Sequence, residues 1–186
     1  MSWPMERALR LLLAGAAVAC CAAEPPEASL ELQVKVAFVY NFAKFVEWPG
    51  PGSSSDDSLS FCVIGVEPLY DELKQSVRGK TIAGRPVIVR RSENRAVDQH
   101  CNVVFIGGDK EHFADILEAA TASGALTVSD CERFAERGGM IQLIKDENKF
   151  RFAINVEAVS RSGLRISAKL LQLSSKAPAQ LARSKP

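Results

Sequence analysis

The sequence predicts a single α/β domain with three layers, in which helices cover both faces of a mixed, mostly parallel sheet. Short apolar runs alternate with amphipathic segments through the middle of the chain, as in folds built from parallel strands and crossover helices. Nearer the C-terminus, two adjacent strand-like runs predict a β-hairpin. The 186 residues, 47% hydrophobic and 24% charged, suit one globular core of ordinary size.

The chain begins with the pattern of a secretory signal peptide. Arg7 and Arg10 precede an uncharged run from Leu11 to Ala23, and this run is too short to cross a bilayer comfortably. We therefore expect export with cleavage near Ala23 and no membrane insertion of the mature chain. Lipidation at Cys20 is a weaker alternative that the sequence leaves open.

The sequence after residues 1–23 divides into three expected segments. Residues 24–31, which contain two adjacent prolines, are expected to form a linker. Residues 176–186, rich in Pro, Ala and Ser, are expected to form a flexible tail. The α/β domain is expected between them, over residues 32–175.

The first element of this domain is a predicted helix from Leu32 to Trp48, because apolar residues recur at helical spacing and Pro49 ends the pattern. Its apolar side chains form two neighbouring stripes: Leu32, Val36, Val39, Ala43 and Val46 in one, and Phe38, Phe42 and Phe45 in the other. So broad an apolar surface is typical of a core helix, and we expect both stripes to be buried.

Apolar runs and amphipathic segments then alternate, which predicts parallel strands joined by helices. The predicted strands are Phe61–Gly65, Pro86–Arg91, Asn102–Gly107 and Ala125–Val128. The predicted helices are Leu69–Val77, Lys110–Ala122 and a short helix around Glu132–Glu136.

Two strand-like runs, Met140–Ile144 and Phe150–Val156, predict an antiparallel β-hairpin added to the sheet. Asn155 is expected to cap a short helix over Glu157–Arg161, which Gly163 ends.

The amphipathic segment from Leu164 to Ser175 is a better candidate surface for a protein partner than the apolar stripes of the first helix, which we expect to be buried. Three of its apolar residues recur at helical spacing: Ile166, Leu170 and Leu173. The basic residues Arg165 and Lys169 flank them. Leu164 and Leu171 can fill the core from the opposite side, which leaves the first trio available for binding. The alternative, that all of these apolar side chains are buried, stays open.

The residues give little support to catalysis, a metal site or a cofactor. His100 and His112 have only nearby aspartates as candidate partners, and the sequence contains no HExxH or CxxC motif. A formal net charge of +1 gives no electrostatic reason to expect nucleic acid as a partner. We therefore predict a non-enzymatic protein that acts without a cofactor.

Small-ligand binding is the alternative to a protein-binding surface. Gly65, Gly107 and Gly108 follow predicted strands, and ligands of open α/β sheets bind in a cleft at the strands' carboxyl ends. A tight strand-to-helix turn explains the same glycines without any ligand.

Cys62, Cys101 and Cys131 remain after cleavage of the signal peptide, and in an oxidising compartment they allow one disulfide in three pairings. Cys62 lies early in one predicted strand and Cys101 immediately precedes another. The first and third strands of an open parallel sheet are commonly neighbours, which places both sulfurs at one edge. The favoured disulfide is therefore Cys62–Cys101, with Cys131 free.

Several segments, in order, resemble the YfiR family of exported proteins. The most specific is KVAFVYNFAKFVEWP at residues 35–49. Further matching segments are FCVIG at 61–65, GK at 79–80, RPV at 85–87, CNVVFI at 101–106, LTVSD at 126–130, GGMI at 138–141, FAIN at 152–155 and LRISAKLL at 164–171. The resemblance spans roughly Leu32 to Leu173.

The resemblance implies a periplasmic repressor that binds the sensor region of an inner-membrane diguanylate cyclase and keeps cyclic-di-GMP synthesis low. It also implies a role for the cysteines in redox control, although this chain lacks a second cysteine pair near the hairpin and retains only Cys131 there. A homodimer is a possible assembly. The alternative function is the binding of a small ligand in the periplasm.

Overall fold

The computed structural model describes residues 27–49, 58–92, 97, 100–108, 113–147 and 149–175. The predicted signal peptide with Cys20, the first part of the predicted linker, His112 and the predicted tail lie outside the described residues. Among the described residues, no helix combines the length and apolarity needed to cross a membrane.

Five helices and nine strands make up the described fold. The helices are α1 (Glu27–Ala43), α2 (Glu67–Ser76), α3 (Phe113–Ala122), α4 (Val156–Arg161) and α5 (Ala168–Leu173). The strands are β1 (Val46–Glu47), β2 (Leu59–Ile64), β3 (Thr81–Ile82), β4 (Arg85–Arg91), β5 (Val103–Ile106), β6 (Leu126–Ser129), β7 (Ile141–Asp146), β8 (Lys149–Ile154) and β9 (Arg165–Ile166).

Seven of the strands form one sheet in the order β3-β4-β2-β5-β6-β7-β8. The five central strands are parallel, while β3 and β8 run antiparallel to their neighbours at the two edges. β7 and β8 form the predicted hairpin, with Leu143 opposite Phe152. The other two strands, β1 and β9, pair in a separate antiparallel ribbon.

Helices pack on both faces of this sheet, which confirms the predicted fold class. Successive residues of a strand point to opposite faces, so Phe61 and Val63 contact the layer that contains α1, α2, α4 and α5. Cys62 and Ile64 contact the layer that contains α3. The first face holds the larger core, which includes apolar residues from α1, α2, the sheet and the C-terminal helices.

The first predicted helix was wrong at both ends. α1 begins at Glu27, so residues 27–31 belong to the helix and not to a linker, and it ends at Ala43 instead of Trp48. Its last turn tightens, because the Lys44 and Phe45 amides donate to carbonyls three residues back. The chain then enters β1, whose pairing with β9 overrides the helical pattern.

Two other sequence predictions differ from the structure. The segment around Glu132–Glu136 forms turns instead of a helix, and Arg133 adopts a φ of +58° that interrupts helical geometry. The predicted amphipathic segment from Leu164 to Ser175 is not one helix, because it begins with β9 and only Ala168–Leu173 is helical.

The predicted cap of α4 is confirmed. The Asn155 side-chain oxygen accepts a hydrogen bond from the Ala158 amide at 3.0 Å, and the side-chain amide donates to the Ala135 carbonyl at 2.7 Å. The helix is followed by Gly163 at a φ of +75°, as expected for a residue beyond a helix C-terminus.

Candidate partner-binding groove

An open apolar groove of about 430 Å³ lies between α1, β8 and α5. We refer to it as the partner-binding groove, and its lining residues are Val34, Ala37, Phe38, Asn41, Phe42, Phe45, Phe152, Leu170 and Leu173. Asn41 is the single polar side chain in this set. Large exposed apolar features are uncommon on soluble monomers and mark interaction surfaces.

Aromatic side chains form the floor of the groove. The ring centroids of Phe38 and Phe42 lie 5.7 Å apart, and those of Phe42 and Phe152 lie 5.0 Å apart. Phe38 also contacts Phe152 at 5.9 Å. These separations are within the range of favourable aromatic pairs. Phe42 is fully buried, but Phe38 is only half-buried, so the floor retains apolar surface that a partner can cover.

α5 contributes one buried and one exposed leucine. Leu170 is 3% exposed and belongs to the core, whereas Leu173 is 64% exposed at the groove. Hydrogen bonds hold both ends of the helix in place: the Ser167 amide donates to the Phe45 carbonyl at 2.9 Å, and the Ser175 amide donates to the Phe152 carbonyl at 2.8 Å. The exposed Leu173 therefore lies on a helix that is hydrogen-bonded to the rest of the domain at both ends.

The three apolar residues predicted to bind a partner differ in their exposure. Ile166 is half-buried in β9 opposite Val46, and Leu170 is a core residue. Of these three residues, only Leu173 is both exposed and part of the groove. The two basic residues that flank the trio, Arg165 and Lys169, are exposed, and Leu164 is buried as expected.

Sequence reasoning missed the contribution of α1 to this groove. The sequence predicts that both apolar stripes of the first helix are buried, but Phe38 on α1 and Phe45 just after it are half-buried and line the groove. The signal that could have identified them is the width of the apolar surface of α1, because two stripes exceed what one sheet face covers.

A cluster of charged residues joins α1 to the sheet. Lys35 Nζ lies 2.7 Å from a Glu31 oxygen and 2.8 Å from a carboxylate oxygen of Asp130, the residue after β6. Lys145 Nζ, on β7, lies 2.5 Å from the other Glu31 oxygen. The cluster therefore ties one turn of α1 to two strands of the sheet.

These contacts shift two ionisation equilibria. Hydrogen bonds from Lys145 and then Lys35 hold the pKa of Glu31 below its ordinary value of 4.5. Burial alone would lower the pKa of Lys35, but hydrogen bonds to Asp130 and Glu31 outweigh it, and the net pKa is raised above 10.5. The charged forms of both groups are thus favoured in the folded protein.

Cys62 and Cys101 form a disulfide that joins β2 to the residue preceding β5, with their Cα atoms 5.8 Å apart. This is the pairing favoured from the sequence. Cys131 is a free, half-buried cysteine, and its amide donates to the Ser129 hydroxyl at 3.0 Å.

The glycines of the alternative small-ligand site pack closely against each other. A Cβ at Gly108 would lie 2.7 Å from the Gly65 carbonyl oxygen, and a Cβ at Gly107 would collide with Val66. Gly108 also has a φ of +73°. Tight packing between two neighbouring turns therefore accounts for Gly107 and Gly108 without a ligand.

The described part of the chain contains no group of His, Cys, Asp and Glu side chains arranged to hold a metal ion. His100 is exposed.

A comparison with family models agrees with the resemblance seen in the sequence. The YfiR/HmsC-like (DUF4154) model matches residues 32–175. The match includes all the residues that line the partner-binding groove, from Val34 on α1 to Leu173 on α5. The chain therefore belongs to the YfiR/HmsC-like family, a periplasmic, non-catalytic family of regulators of cyclic-di-GMP signalling.

Proposed function

We propose that this protein is a periplasmic repressor that binds the sensor region of an inner-membrane diguanylate cyclase and thereby lowers cyclic-di-GMP production. Family membership supports a role in this signalling pathway. The partner-binding groove supports protein contact as the means of action, because a regulator from a non-catalytic family acts through the surface that contacts its partner.

The observation that carries the proposal is the exposure of Leu173 beside the aromatic floor of the groove. Leu173 is 64% exposed, although it sits on a helix whose neighbouring Leu170 is only 3% exposed. Fully burying a leucine side chain contributes about 1.5–3 kcal/mol relative to leaving it exposed. Interfaces concentrate their binding energy in a few such central apolar side chains surrounded by weaker contacts.

The occupant that we propose is an apolar segment of the cyclase sensor region. It would cover Leu173 and Phe38, while Asn41 offers it one hydrogen-bonding group within an otherwise apolar lining. Arg165 and Lys169 are exposed, and we propose them as basic contacts outside the apolar centre. Charges in such positions affect the association rate and partner choice more than the affinity.

The proposed location requires export. The charged start and apolar run of residues 1–23 supply the pattern of a cleavable signal peptide, and cleavage near Ala23 would release the α/β domain into the periplasm. There the Cys62–Cys101 disulfide can form and persist.

A single substitution tests the function in cells. Leu173→Asp places a charge in the apolar groove, and we expect cyclic-di-GMP to rise to the level of a strain that lacks the protein. Val156→Asp is the matched control, because Val156 is 43% exposed on α4 and does not line the groove. We expect this control to repress normally.

Cyclic-di-GMP is measured by mass spectrometry in strains that export equal amounts of each variant, and thermal melting checks that both fold. Normal repression by Leu173→Asp would contradict the proposal. Equal loss of repression in Val156→Asp would also contradict it, because the effect would then not be specific to the groove.

A further inference from the structure

The apolar surface of α1 continues beyond the partner-binding groove toward the start of the helix. Leu30 is 54% exposed and lies one turn before Val34, which lines the groove. Leu30, Val34, Ala37 and Asn41 recur at intervals of four, three and four residues along one side of α1, and we refer to them as the outer stripe. We propose that the outer stripe packs against an α-helix of the cyclase sensor region, an inference that rests on the proposed function.

α1 carries apolar side chains on the side that points away from the core as well as on its core side. Val36 and Val39 are buried in the core, whereas Ala37 is exposed and Val34 is half-buried. A surface helix normally carries charged or polar residues on the side opposite its core stripe. The outer stripe departs from this pattern and therefore has the composition of a surface that a partner covers.

The spacing and size of the outer stripe match a helix as the partner. Packed helices interlock through side chains at intervals of three and four residues, with their axes about 8–10 Å apart. Ala37, in the middle of the stripe, is small enough to allow such a close approach. From Leu30 to Asn41 the stripe is about 17 Å long, which corresponds to a partner helix of about three turns.

An added β-strand is a poorer match for this part of the molecule. β8 is the edge strand of the sheet, and its Phe152 lines the groove. Part of that edge is already used, because Ser175 pairs with Ala153 and the Ser175 amide donates to the Phe152 carbonyl at 2.8 Å. A partner strand would therefore have a shortened edge with which to pair.

Lys169 indicates the charge of the partner helix. It lies four residues before the exposed Leu173 and thus on the same side of α5. Lys169 is exposed and has no ion pair within the part of the chain that the structure describes. Residues 176–186, which follow α5, contain no Asp or Glu. An acidic residue beside the apolar side chains of the partner helix would complement Lys169.

Asn41 is the polar member of the outer stripe. Its side-chain oxygen accepts a hydrogen bond from Lys44 Nζ at 3.0 Å, so its side-chain amide can donate to the partner. In paired helices, a single Asn in an otherwise apolar seam specifies how the two helices are aligned. Asn41 would have this role between α1 and the partner helix.

Photocrosslinking of the exported protein in living cells tests this inference. The photoreactive residue p-benzoylphenylalanine replaces Leu30, Val34 or Ala37, and position 173 serves as the reference for the proposed function. The control position is Ala119, which is exposed on α3 in the layer across the sheet. We expect the three positions of the outer stripe to crosslink to the same cyclase as position 173, and we expect no cyclase crosslink from position 119.

The partner residues in these crosslinks, identified by mass spectrometry, distinguish a helix from a strand. Successive positions of the outer stripe lie about 4.5–6 Å apart along α1. In a partner helix the crosslinked residues should therefore be three or four positions apart. In an extended strand, which rises about 3.3 Å per residue, they would be about two positions apart.

A bulky substitution provides a second test. Ala37→Trp holds a partner helix away from α1 without adding a charge, and we expect it to abolish the cyclase crosslink from position 173. Thermal melting should stay unchanged, because the side chain at position 37 is exposed. Ala119→Trp is the matched control and should retain the crosslink.

The outcomes separate this inference from the proposed function. A cyclase crosslink from position 173 but none from the outer stripe would overturn the inference and leave the proposed function intact. Partner residues two positions apart, or an unchanged crosslink in Ala37→Trp, would also overturn it. The same holds for crosslinks from the outer stripe only to a second copy of this chain, to residues 176–186 or to lipid. Absence of the cyclase at position 173 as well would overturn both.

Discussion

Asn102 joins three parts of the molecule through hydrogen bonds from its backbone and its side chain. Its amide donates to the Ser60 carbonyl at 2.9 Å, and its side-chain oxygen accepts from the Ser60 amide at 2.9 Å. Its carbonyl accepts from the Trp48 indole and from the Leu126 amide. Because Asn102 follows the disulfide residue Cys101, the covalent bond and these hydrogen bonds together fix β2, β5 and the end of the 35–49 segment.

The disulfide should therefore contribute substantially to stability. In the chain-entropy model, a bond that closes a loop of 39 residues stabilises the fold by about 3–4 kcal/mol. We expect Cys62→Ser to lower the urea midpoint of unfolding much more than Cys131→Ser, which removes the free cysteine. Equal shifts in the two variants would show that the disulfide adds little, or that Cys131 is as important to packing.

Charged residues make the stability pH-dependent in a specific way. The pKa of Glu31 is lowered in the folded protein. The stabilising contribution of Glu31 is therefore complete above pH 4.5 and is lost as pH falls through the folded-state pKa. The pKa of Lys35 is raised in the folded protein. The stabilising contribution of Lys35 is therefore complete below pH 10.5 and is lost as pH rises through the folded-state pKa.

Glu31→Gln tests the acidic side of this dependence. At about pH 7 we expect the variant to melt below the wild type. At about pH 3 the difference should be smaller, because the stability that the lowered pKa of Glu31 provides diminishes as pH falls below 4.5. Glu118→Gln, on the exposed face of α3, is the control and should show little effect at either pH. A difference for Glu31→Gln that is the same at both pH values would contradict the assignment.

At the scale of elements, α4 and α5 contain only six residues each and depend on caps and packing. The Asn155 side chain caps α4, and the Ser167 hydroxyl accepts from the Leu170 amide at 3.3 Å to cap α5. A cap of this kind contributes about 1 kcal/mol. Since α5 carries Leu173, its position controls one wall of the partner-binding groove.

Two leucines three positions apart on α5 should respond differently to truncation. Leu170→Ala removes a core side chain, and we expect a loss of about 2–5 kcal/mol in the free energy of unfolding. Leu173→Ala removes a mostly exposed side chain, and we expect a change within about 0.5 kcal/mol. Urea unfolding measures both, and similar losses would show that Leu173 is structural and not available for binding.

The elements that could be predicted from the sequence are those set by local signals. Short buried strands, the β7–β8 hairpin and the Asn155 cap all follow from periodicity or from residues a few positions apart. The end of α1 could not be predicted in this way, because β1 forms only through pairing with β9 near the other end of the domain. The turns around Arg133 likewise depend on Phe134, which packs into the core against Phe113.

At the scale of the whole molecule, the partner-binding groove is assembled from the two ends of the domain. α1 supplies Phe38 and Phe42 of the aromatic floor, and α5 supplies Leu173. The sequence predicts Ile166, Leu170 and Leu173 as candidate binding residues and predicts that Phe38 is buried. In the structure Leu173 is exposed, Leu170 is buried and Phe38 is half-buried. Whether an apolar side chain on an amphipathic helix is buried depends on which element covers it, and helical periodicity alone does not contain that information.

The groove also explains why the 35–49 segment is so rich in aromatic residues. Phe42 is buried in the core below the groove floor, while Phe38 and Phe45 are half-buried and contact both the core and the groove. Lys44, Glu47 and Trp48, near the end of the same segment, line a separate cavity beside β3 and β4. One segment of the sequence thus contributes residues to two separate surfaces.

The most direct test of the account is site-specific photocrosslinking in living cells. The photoreactive residue p-benzoylphenylalanine replaces Leu173 in one strain and Val156 in a control strain, and the crosslinked products are identified by mass spectrometry. We predict that position 173 crosslinks to the periplasmic sensor region of a membrane-bound diguanylate cyclase and that position 156 does not. Crosslinks from position 173 only to a second copy of this chain, or the same cyclase crosslink from both positions, would contradict the central claim that the groove is the cyclase-binding site.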